Sequence, residues 1–218
     1  NTLDEMVKFL DKNQNLAATQ PIVYQNPKFQ IPNSKKQTIP NIQIQTSKFK
    51  TSVGEIGYVI DLKVGKAKVL TEVQGWEGWK VNRLKSSRID IFKQGWVYGL
   101  SGTCLLIRKK IFEELQGFDA SFHSYLEDVD LFIRLAKKNY AYSPTLTTSC
   151  RHQHMATSAK MGNYKQRQDF KNWIKIIIKN YPFGFILKHF PSLLIERLRN
   201  FNGIIKQWLV IGPLMLLN

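Results

Sequence analysis

Helix-like and strand-like segments alternate along the first 150 residues, and this alternation limits the possible folds more than any other feature of the sequence. Residues 3–10 place apolar side chains at helical spacing, with Thr2 and Glu5 as a predicted capping box. A short apolar and β-branched run at 16–27 follows directly and is typical of a strand. The same alternation returns as a strand at 96–107, helices at 109–115 and 128–138, and a strand at 141–150. The sequence therefore predicts an α/β fold.

The region between these two blocks is less regular. Prolines and polar residues predict a loop at 28–50, the segment 54–65 is assigned to a strand, and the stretch from Trp76 to Trp79 is assigned to a long loop. With 43% hydrophobic and 12% aromatic residues, the chain has enough apolar surface to form a core.

After residue 160 the pattern changes to helices that carry basic rows. The segment 163–179 predicts a helix with an apolar face beside a row of basic residues, namely Phe170, Trp173, Ile174 and Ile177 beside Arg167, Lys171, Lys175 and Lys179. Pro182 is predicted to end this helix and Pro191 to interrupt the next one. Gly212 and Pro213 are predicted to break the apolar run that closes the chain.

Positive charge is concentrated in this last part of the chain. The whole sequence holds 32 Lys and Arg against 16 Asp and Glu, and residues 151–218 hold 11 of the basic residues with two acids. We therefore divide the chain into an α/β part, 1–160, and a basic amphipathic helical tail, 161–218. Such an excess favours anionic partners, such as a membrane surface, a polyanion or a phosphorylated substrate. Because no recognition motif indicates nucleic acid, no nucleic-acid partner is expected.

The same features bear on where the protein works. No signal peptide opens the sequence, and no apolar run reaches the roughly 20 residues of a spanning helix. We expect a cytoplasmic protein whose tail associates peripherally with the inner face of the cell membrane, where Phe183, Phe185 and Phe190 accompany the basic residues. The alternative is that the apolar face of the tail packs on the α/β part.

Cys104 and Cys150 are the two cysteines of the chain. They lie in apolar or β-branched stretches, and neither has a CxxC partner. Free, buried thiols are therefore expected rather than a disulfide.

Residues 117–130 hold four carboxylates within 14 positions of an otherwise basic chain. On local pattern alone, Ser124 and Glu127 are spaced as a capping box for the following helix. Gly117 would cap the preceding helix and Asp119 would lie in a turn. This interpretation gives the carboxylates a structural role.

The order of residues from Gly99 to Arg134 resembles the C-terminal half of the family 2 glycosyltransferases of the GT-A fold, notably the rhamnosyltransferase-like group. The matching positions are Gly99, Gly102, Arg108, Gly117, Phe118, Asp119, Tyr125, Glu127, Asp128, Asp130 and Arg134. The resemblance implies part of a Rossmann-like domain with a mixed sheet. It also implies an inverting transfer of a sugar from a nucleotide-sugar donor to a cell-envelope glycan or a lipid-linked acceptor.

By this resemblance, Asp128 is the catalytic base that takes the proton of the acceptor hydroxyl, and Glu127 helps to position the acceptor. A carboxyl with the usual pKa of about 3.9 is ionised at neutral pH, so Asp128 needs no special environment for this task. We expect both residues at a helix N-terminus, facing an open cleft with 99–102 on its opposite wall. Asp130 and Arg134 are interpreted as a structural ion pair.

A further set of residues is assigned to substrate binding, namely Gly99, Ser101, Gly102 and Asp119. The two glycines lack side chains and would let the backbone approach the sugar nucleotide closely.

His152 and His154 follow the last strand-like run. In the family that the chain resembles, a histidine here lies near the donor diphosphate and in some members ligates the divalent ion. His152 matches this position best and is assigned as the metal ligand, whereas His154, the alternative, is assigned to substrate binding. A structural role for the pair and a zinc site are the other interpretations, and zinc would need a third ligand that the sequence does not place.

The resemblance does not include the N-terminal half of the family, which carries an Asp-x-Asp motif for Mg²⁺ or Mn²⁺. We expect a complete enzyme to use Mg²⁺ or Mn²⁺, and the isolated chain to bind donors weakly and to be inactive. The alternative is a non-catalytic protein that binds a membrane surface or a polyanion through the same fold.

Overall fold

The structure is a computed structural model that describes residues 1–25, 54–71, 90–152 and 164–215. Side chains of the last helix are described as far as residue 205. The loop predicted at 28–50 and the stretch from Trp76 to Trp79 lie outside the described residues.

Six α-helices and eight strands are formed by the described residues. The helices are α1 (Thr2–Lys12), α2 (Ile91–Gln94), α3 (Lys109–Glu114), α4 (Glu127–Lys137), α5 (Tyr164–Asn180) and α6 (Phe183–Met215). The strands are β1 (Leu16–Thr19), β2 (Pro21–Gln25), β3 (Gly54–Asp61), β4 (Lys66–Thr71), β5 (Trp96–Gly99), β6 (Leu106–Ile107), β7 (Ala141–Tyr142) and β8 (Thr145–His152). Short 3-10 turns lie at Gly102–Cys104 and Ala120–Phe122.

The strands form two mixed sheets. In the three-stranded sheet, β1 pairs antiparallel with β6 and parallel with β7. In the five-stranded sheet, β2 pairs antiparallel with β3 and parallel with β8, and β3 also pairs antiparallel with β4 and β5. This arrangement, with helices at the C-terminal end, confirms the predicted α/β fold with a mixed sheet and a helical tail.

Helix α1 forms where its apolar spacing predicts, but its cap lies one residue earlier than expected. The Asn1 side chain accepts a hydrogen bond from the Asp4 backbone N–H at 3.1 Å, and the Asp4 side chain bonds back to Asn1. The Thr2 hydroxyl instead donates to the carbonyl of Ser149 on β8 at 3.0 Å. The predicted pair of Thr2 and Glu5 was therefore wrong, because Thr2 is already inside the helix and bonds to the sheet.

The single strand predicted at 16–27 is divided into β1 and β2 by Gln20. Its side chain is fully buried and accepts a hydrogen bond from the backbone N–H of Ser101. Pro21 opens β2 and has no N–H to continue the ladder of β1. The chain therefore changes sheets at Gln20, and the same residue holds the loop that follows β5.

Helix α4 lies at the centre of the core. It begins and ends one residue before the predicted bounds, and the predicted apolar residues Leu131, Ile133 and Leu135 are all fully buried. The ring of Phe132 on the same helix packs edge-on against Tyr58 of β3 and Tyr142 of β7. Nearly the whole circumference of the helix is covered, so its first turn has a fixed position relative to both sheets.

Two local predictions near α4 have different outcomes. Helix α3 ends in a Schellman motif in which Gln116 N–H bonds to Glu113 O and Gly117 N–H to Phe112 O. Gly117 therefore takes part in the helix end, but the cap predicted at Gly117 lies at Leu115, and Gln116 between them is already left-handed. The predicted capping box of Ser124 was wrong, because Leu126 occupies the cap position and the Ser124 hydroxyl bonds to the Tyr164 hydroxyl at 3.1 Å.

In the tail, Pro182 separates two helices as predicted, but Pro191 does not interrupt the second. Helix α6 runs from Phe183 to Met215 and also includes Gly212 and Pro213. A proline inside a helix costs about 3 kcal/mol. Packing on both sides of Pro191 offsets this cost, since Phe185 contacts the ring of Tyr181 and Leu193 is buried in the core.

Helices α5 and α6 form an antiparallel hairpin. The Arg197 guanidinium stacks over the Trp173 ring at 5.3 Å, and the rings of Phe170 and Phe201 lie 5.9 Å apart. Trp173 also belongs to the hydrophobic core of the α/β part. One face of the tail is therefore part of the main core. No helix in the described stretches combines the length and the apolar character needed to span a bilayer.

A buried carboxylate joins this hairpin to α4. Asp130 is fully buried and accepts hydrogen bonds from Arg134 Nε at 2.8 Å, from Lys179 Nζ at 3.0 Å and from Asn180 Nδ2 at 2.8 Å. The predicted ion pair between Asp130 and Arg134 is confirmed. Arg134 also donates to the carbonyls of Leu115 and Gly117 at the end of α3.

We predict that Asp130→Ala lowers the free energy of unfolding by about 3–5 kcal/mol, because the charges of Arg134 and Lys179 would lose their buried partner. Asp11→Ala, on the exposed side of α1, should change it by less than about 0.5 kcal/mol. Urea unfolding followed by circular dichroism measures both. Equal losses in the two variants would contradict a structural role for Asp130.

Candidate active site

Glu127 and Asp128 lie in the first turn of α4, as predicted. The segment that leads to them is unusual, since His123, Tyr125 and Leu126 all have positive φ angles between 58° and 67°. Such conformations are costly for residues other than glycine and persist only where surrounding contacts enforce them. The two carboxylates are therefore positioned by a strained loop that precedes α4, and not by an ordinary helix cap.

Asn172 of α5 is the contact that holds this loop. Its side chain is fully buried and its Nδ2 lies 3.1 Å from Phe122 O, 2.9 Å from Ser124 O and 2.7 Å from Tyr125 O. Asn172 was not predicted from the sequence, because a lone Asn inside an amphipathic helix carries no signal of what its side chain reaches. Its only sequence clue is a polar residue on the apolar face beside Trp173.

Asp128 is half-buried and bonded on both oxygens. Its Oδ2 accepts from the backbone N–H of Gly102 at 2.9 Å, and its Oδ1 accepts from the N–H of Val129 at 2.8 Å. A carboxylate oxygen has two lone pairs, so each oxygen can still accept one more proton or hydrogen bond.

Among the described residues, the predicted cleft between Asp128 and the loop 99–102 is not formed, because the two are in direct contact. A Cβ atom on Gly102 would lie only 3.3 Å from the Asp128 Cβ. Glycine therefore permits the close approach that gives the half-buried carboxylate its backbone donor.

The environment of Asp128 raises its pKa to about 6. Burial is the main cause, and the neighbouring charge of Glu127 adds to it, whereas the hydrogen bonds from Gly102 and Val129 oppose the shift. The ordinary pKa predicted for Asp128 from the sequence was therefore too low. With the raised value, Asp128 is still mostly ionised at pH 7, but it holds a proton more tightly than an exposed aspartate would.

Two unpartnered polar atoms accompany Asp128. The Tyr58 hydroxyl and the Glu127 Oε2 are both buried and have no hydrogen-bond partner among the described residues. The pKa of Tyr58 is raised well above its usual value, first by burial and then by the charges of Asp128, Tyr142 and Glu127. Tyr58 therefore stays protonated as a donor close to the two carboxylates. Such orphaned atoms beside a titratable group are typical of a ligand site.

The residues assigned to substrate binding before β6 have clear local roles. Gly99 is buried under the Tyr58 ring, because a Cβ there would lie 2.2 Å from Tyr58 Cε2. The close approach at Gly99 is therefore made by Tyr58 in this structure. Ser101 caps the 3-10 turn that carries Gly102, with its hydroxyl oxygen 3.3 Å from Thr103 N.

Asp119 bonds to the tail instead of to Asp128. Its Oδ2 accepts from Lys179 Nζ at 2.7 Å and its Oδ1 from the Ser121 N–H at 2.9 Å. These bonds, that of Lys179 first, hold the pKa of Asp119 well below its usual value. The structure thus confirms Asp119 as a turn residue, and its role in substrate binding stays a prediction.

The histidines give less information. His152 ends β8, where it lies opposite Gln25 in the parallel ladder, and His154 is outside the described residues. Within the described stretches, no group of three or more His, Cys, Asp or Glu side chains is placed to hold a metal ion. The assignment of His152 as a metal ligand stays a prediction.

Cys104, in the 3-10 turn next to Gly102, and Cys150 on β8 are free thiols, as predicted. Both are half-buried rather than buried. Burial and the neighbouring Cys104 raise the pKa of Cys150 to about 12, so the Cys150 thiol stays protonated at neutral pH.

Comparison with known proteins supports a relationship to glycosyltransferases. Over 62 residues the chain is 48% identical to the N-acetylglucosaminyl-diphospho-decaprenol L-rhamnosyltransferase of two strains of Mycobacterium tuberculosis. The match covers 28% of this chain and 18% of the mycobacterial enzyme, so the chain spans under a fifth of the length of these curated relatives. No family model matches the chain, and no solved structure does.

We predict that Asn172→Asp lowers the free energy of unfolding by about 2–4 kcal/mol, because it directs a carboxylate oxygen at the three carbonyls that now accept from Nδ2. The same change at the exposed Asn202 of α6 is the matched control and should be nearly neutral. Urea unfolding of both variants is the measurement. A mild effect at residue 172 would mean that the loop before α4 holds its shape without this contact.

The raised pKa of Asp128 predicts how the free energy of unfolding depends on pH. An aspartate that titrates near 3.8 when unfolded and near 6 when folded costs stability as the pH rises from about 4 to about 6. Above pH 6, Asp128→Asn should therefore be more stable than the parent chain, by up to about 3 kcal/mol, and the difference should vanish near pH 4. Urea midpoints across this range measure it.

Asp119→Asn is the control of opposite sign. Because the pKa of Asp119 is lowered in the folded chain, its ionised form contributes stability at neutral pH that is lost in acid. The Asp119→Asn variant should then be less stable than the parent at pH 7. If both variants shift stability in the same direction, the assigned environments of these carboxylates are incorrect.

Proposed function

We propose that this chain carries the base and the acceptor side of an inverting family 2 glycosyltransferase with the GT-A fold. The reaction moves a sugar from a nucleotide-sugar donor to a cell-envelope glycan or a lipid-linked acceptor. The observation that carries the proposal is Asp128, a half-buried carboxylate in a first helical turn with a pKa of about 6. The local identity to a rhamnosyltransferase gives this carboxylate its chemical context.

In the proposed reaction, Asp128 takes the proton of the acceptor hydroxyl. The acceptor oxygen forms a bond to the anomeric carbon of the donor while the bond from that carbon to the diphosphate breaks. The electron pair leaves with the nucleotide diphosphate, and attack from the opposite face inverts the anomeric configuration. A base with a pKa near 6 is available at pH 7 and accepts the proton more readily than an ordinary aspartate.

Glu127 and Tyr58 are proposed to hold the acceptor. The Glu127 Oε2 can accept from one acceptor hydroxyl, and the Tyr58 hydroxyl can donate to another oxygen. A polyhydroxylated ligand supplies both kinds of group, which would satisfy the two unpartnered atoms at once. This pairing supports a carbohydrate acceptor beside Asp128.

The donor side is a proposal from resemblance alone. His152 and His154 are proposed to lie near the donor diphosphate, together with Ser101 and Gly102. The described residues form no group that fits Mg²⁺ or Mn²⁺, and we therefore assign no step of the reaction to a metal ion.

The test is the substitution Asp128→Asn in the complete protein that its natural gene encodes. Asparagine can still accept from the Gly102 N–H, so the fold should persist. The measurement is the rate at which the nucleotide diphosphate is released from the nucleotide-sugar donor that the parent protein uses. We expect kcat to fall by about 10²–10⁴-fold, with little change in the KM for the donor.

Tyr58→Phe and Asp11→Asn complete this experiment. Tyr58→Phe removes the unpartnered hydroxyl and should raise the KM for the acceptor. Asp11→Asn changes an exposed residue of α1 and should leave turnover unchanged. Unchanged turnover in a folded Asp128→Asn protein would refute the base assignment. It would favour the non-catalytic alternative, a membrane-surface or polyanion-binding protein built on this fold.

A further inference from the structure

Helix α6 has an apolar face that the described core does not cover. Seven large apolar side chains on it are between 40% and 78% exposed. We call them the apolar stripe: Phe183, Leu187, Phe190, Leu194, Leu198, Phe201 and Ile205. Exposed apolar surface of this extent usually marks an interaction site.

The spacing of the stripe makes it straight. Its members follow one another in steps of four, three, four, four, three and four residues, an average close to the 3.6 residues of a helical turn. Over 22 positions at 1.5 Å per residue, the stripe is about 33 Å long. A long, straight apolar line fits a flat surface.

The core-facing side of α6 is separate from the stripe. Leu193, Glu196 and Arg197 are buried, and Phe185 packs against the rings of Phe92 and Tyr181. The prediction that Phe185 lies with the membrane-facing aromatic residues was wrong, because its ring packs on the core side of α6. The stripe is thus additional to these residues, and of its members only Phe201, whose ring lies 5.9 Å from that of Phe170 on α5, also has a ring contact in the hairpin among the described residues.

Charge on the hairpin is arranged around this stripe. Residues 164–218 hold nine basic residues and two acids. Of the acids, Glu196 is buried with Lys66 Nζ at 3.3 Å, and Asp169 is half-buried. Lys188 and Arg199 on α6 are exposed and lie 11 residues apart, which places them in one row. Each directly follows a member of the stripe, Leu187 or Leu198, so the row lies about 100° around the helix from these two side chains. Arg199 also pairs with Glu196, at 3.6 Å between Nη1 and Oε2.

We propose that α6 docks lengthwise on an anionic membrane surface, with the apolar stripe in the interfacial region and Lys188 and Arg199 among the lipid headgroups. Exposed positive charge, with the two acids of the hairpin buried or half-buried, is complementary to anionic lipid. A second copy of the chain would bring the same positive charge to the same face, so self-association through the stripe is disfavoured. This inference rests on the tail and does not require the proposed transfer reaction.

The test is sedimentation of the full chain with two kinds of vesicle, phosphatidylcholine alone and phosphatidylcholine with about 30% phosphatidylglycerol. We expect binding to the anionic vesicles that weakens as salt rises, and little binding to the neutral ones. No binding to either vesicle, or equal binding to both, would overturn the proposal.

Two double variants separate the apolar and the electrostatic contributions. Leu187→Gln with Leu198→Gln should lower the partition coefficient on anionic vesicles by roughly tenfold or more. Lys188→Gln with Arg199→Gln should lower it by about 30-fold and make the binding less dependent on salt. All four side chains are exposed, and glutamine is a good helix former, so circular dichroism should show an intact helix.

The matched control is Leu3→Gln with Val7→Gln. These residues are also exposed and apolar, four positions apart on a helix, but they belong to α1. This variant should bind vesicles like the parent chain. Equal loss in the control would overturn the proposal, as would a stripe variant that changes the sedimentation mass in solution while vesicle binding stays the same. The second outcome would identify a second copy of the chain as the occupant of the stripe.

Discussion

The carboxylate of Asp130 is the interaction on which the arrangement of this protein depends. It is fully buried, so it needs charged donors, and these come from α4 itself through Arg134 and from the tail through Lys179 and Asn180. Arg134 in turn bonds to the end of α3. One buried acid therefore fixes the angle between α4 and the tail, and the first turn of α4, with the candidate site, is fixed with it.

In the candidate site, the carboxylate of Asp128 has the opposite effect on stability. Asp128 is partly desolvated beside the like charge of Glu127, and only two backbone N–H groups compensate it. This placement reduces stability at neutral pH, whereas the network of Asp130 increases it. The neighbouring strained loop adds a further cost that Asn172 offsets. Strain and desolvation concentrated at one helical turn are typical of a functional site.

Hydrophobic spacing was enough to predict the main elements, because it determines which face of each helix is buried: Leu131 and Leu135 lie in the core as expected. The position of the acids at a helix start also followed from the sequence. Long-range contacts did not, since nothing local indicates that Gln20 reaches Ser101 or that Asn172 reaches the loop before α4. The prediction that Pro191 interrupts α6 was wrong for the same reason, because the helix continues through Pro191 on account of tertiary packing.

The tail is joined to the candidate site, because helix α5 of the hairpin contacts both the site and α6. Helix α5 presents Asn172 to the loop before α4 and Lys179 to Asp130, while its Trp173 receives Arg197 from α6. The apolar stripe lies on α6 and, apart from the contact of Phe201 with Phe170, consists of exposed side chains that take no part in these contacts. A surface that holds α6 would therefore also set the orientation of Asp128 relative to that surface. For an acceptor anchored in a lipid layer, such a fixed orientation would limit the positions in which its hydroxyl meets the base, which is the entropic advantage that a docked tail can provide.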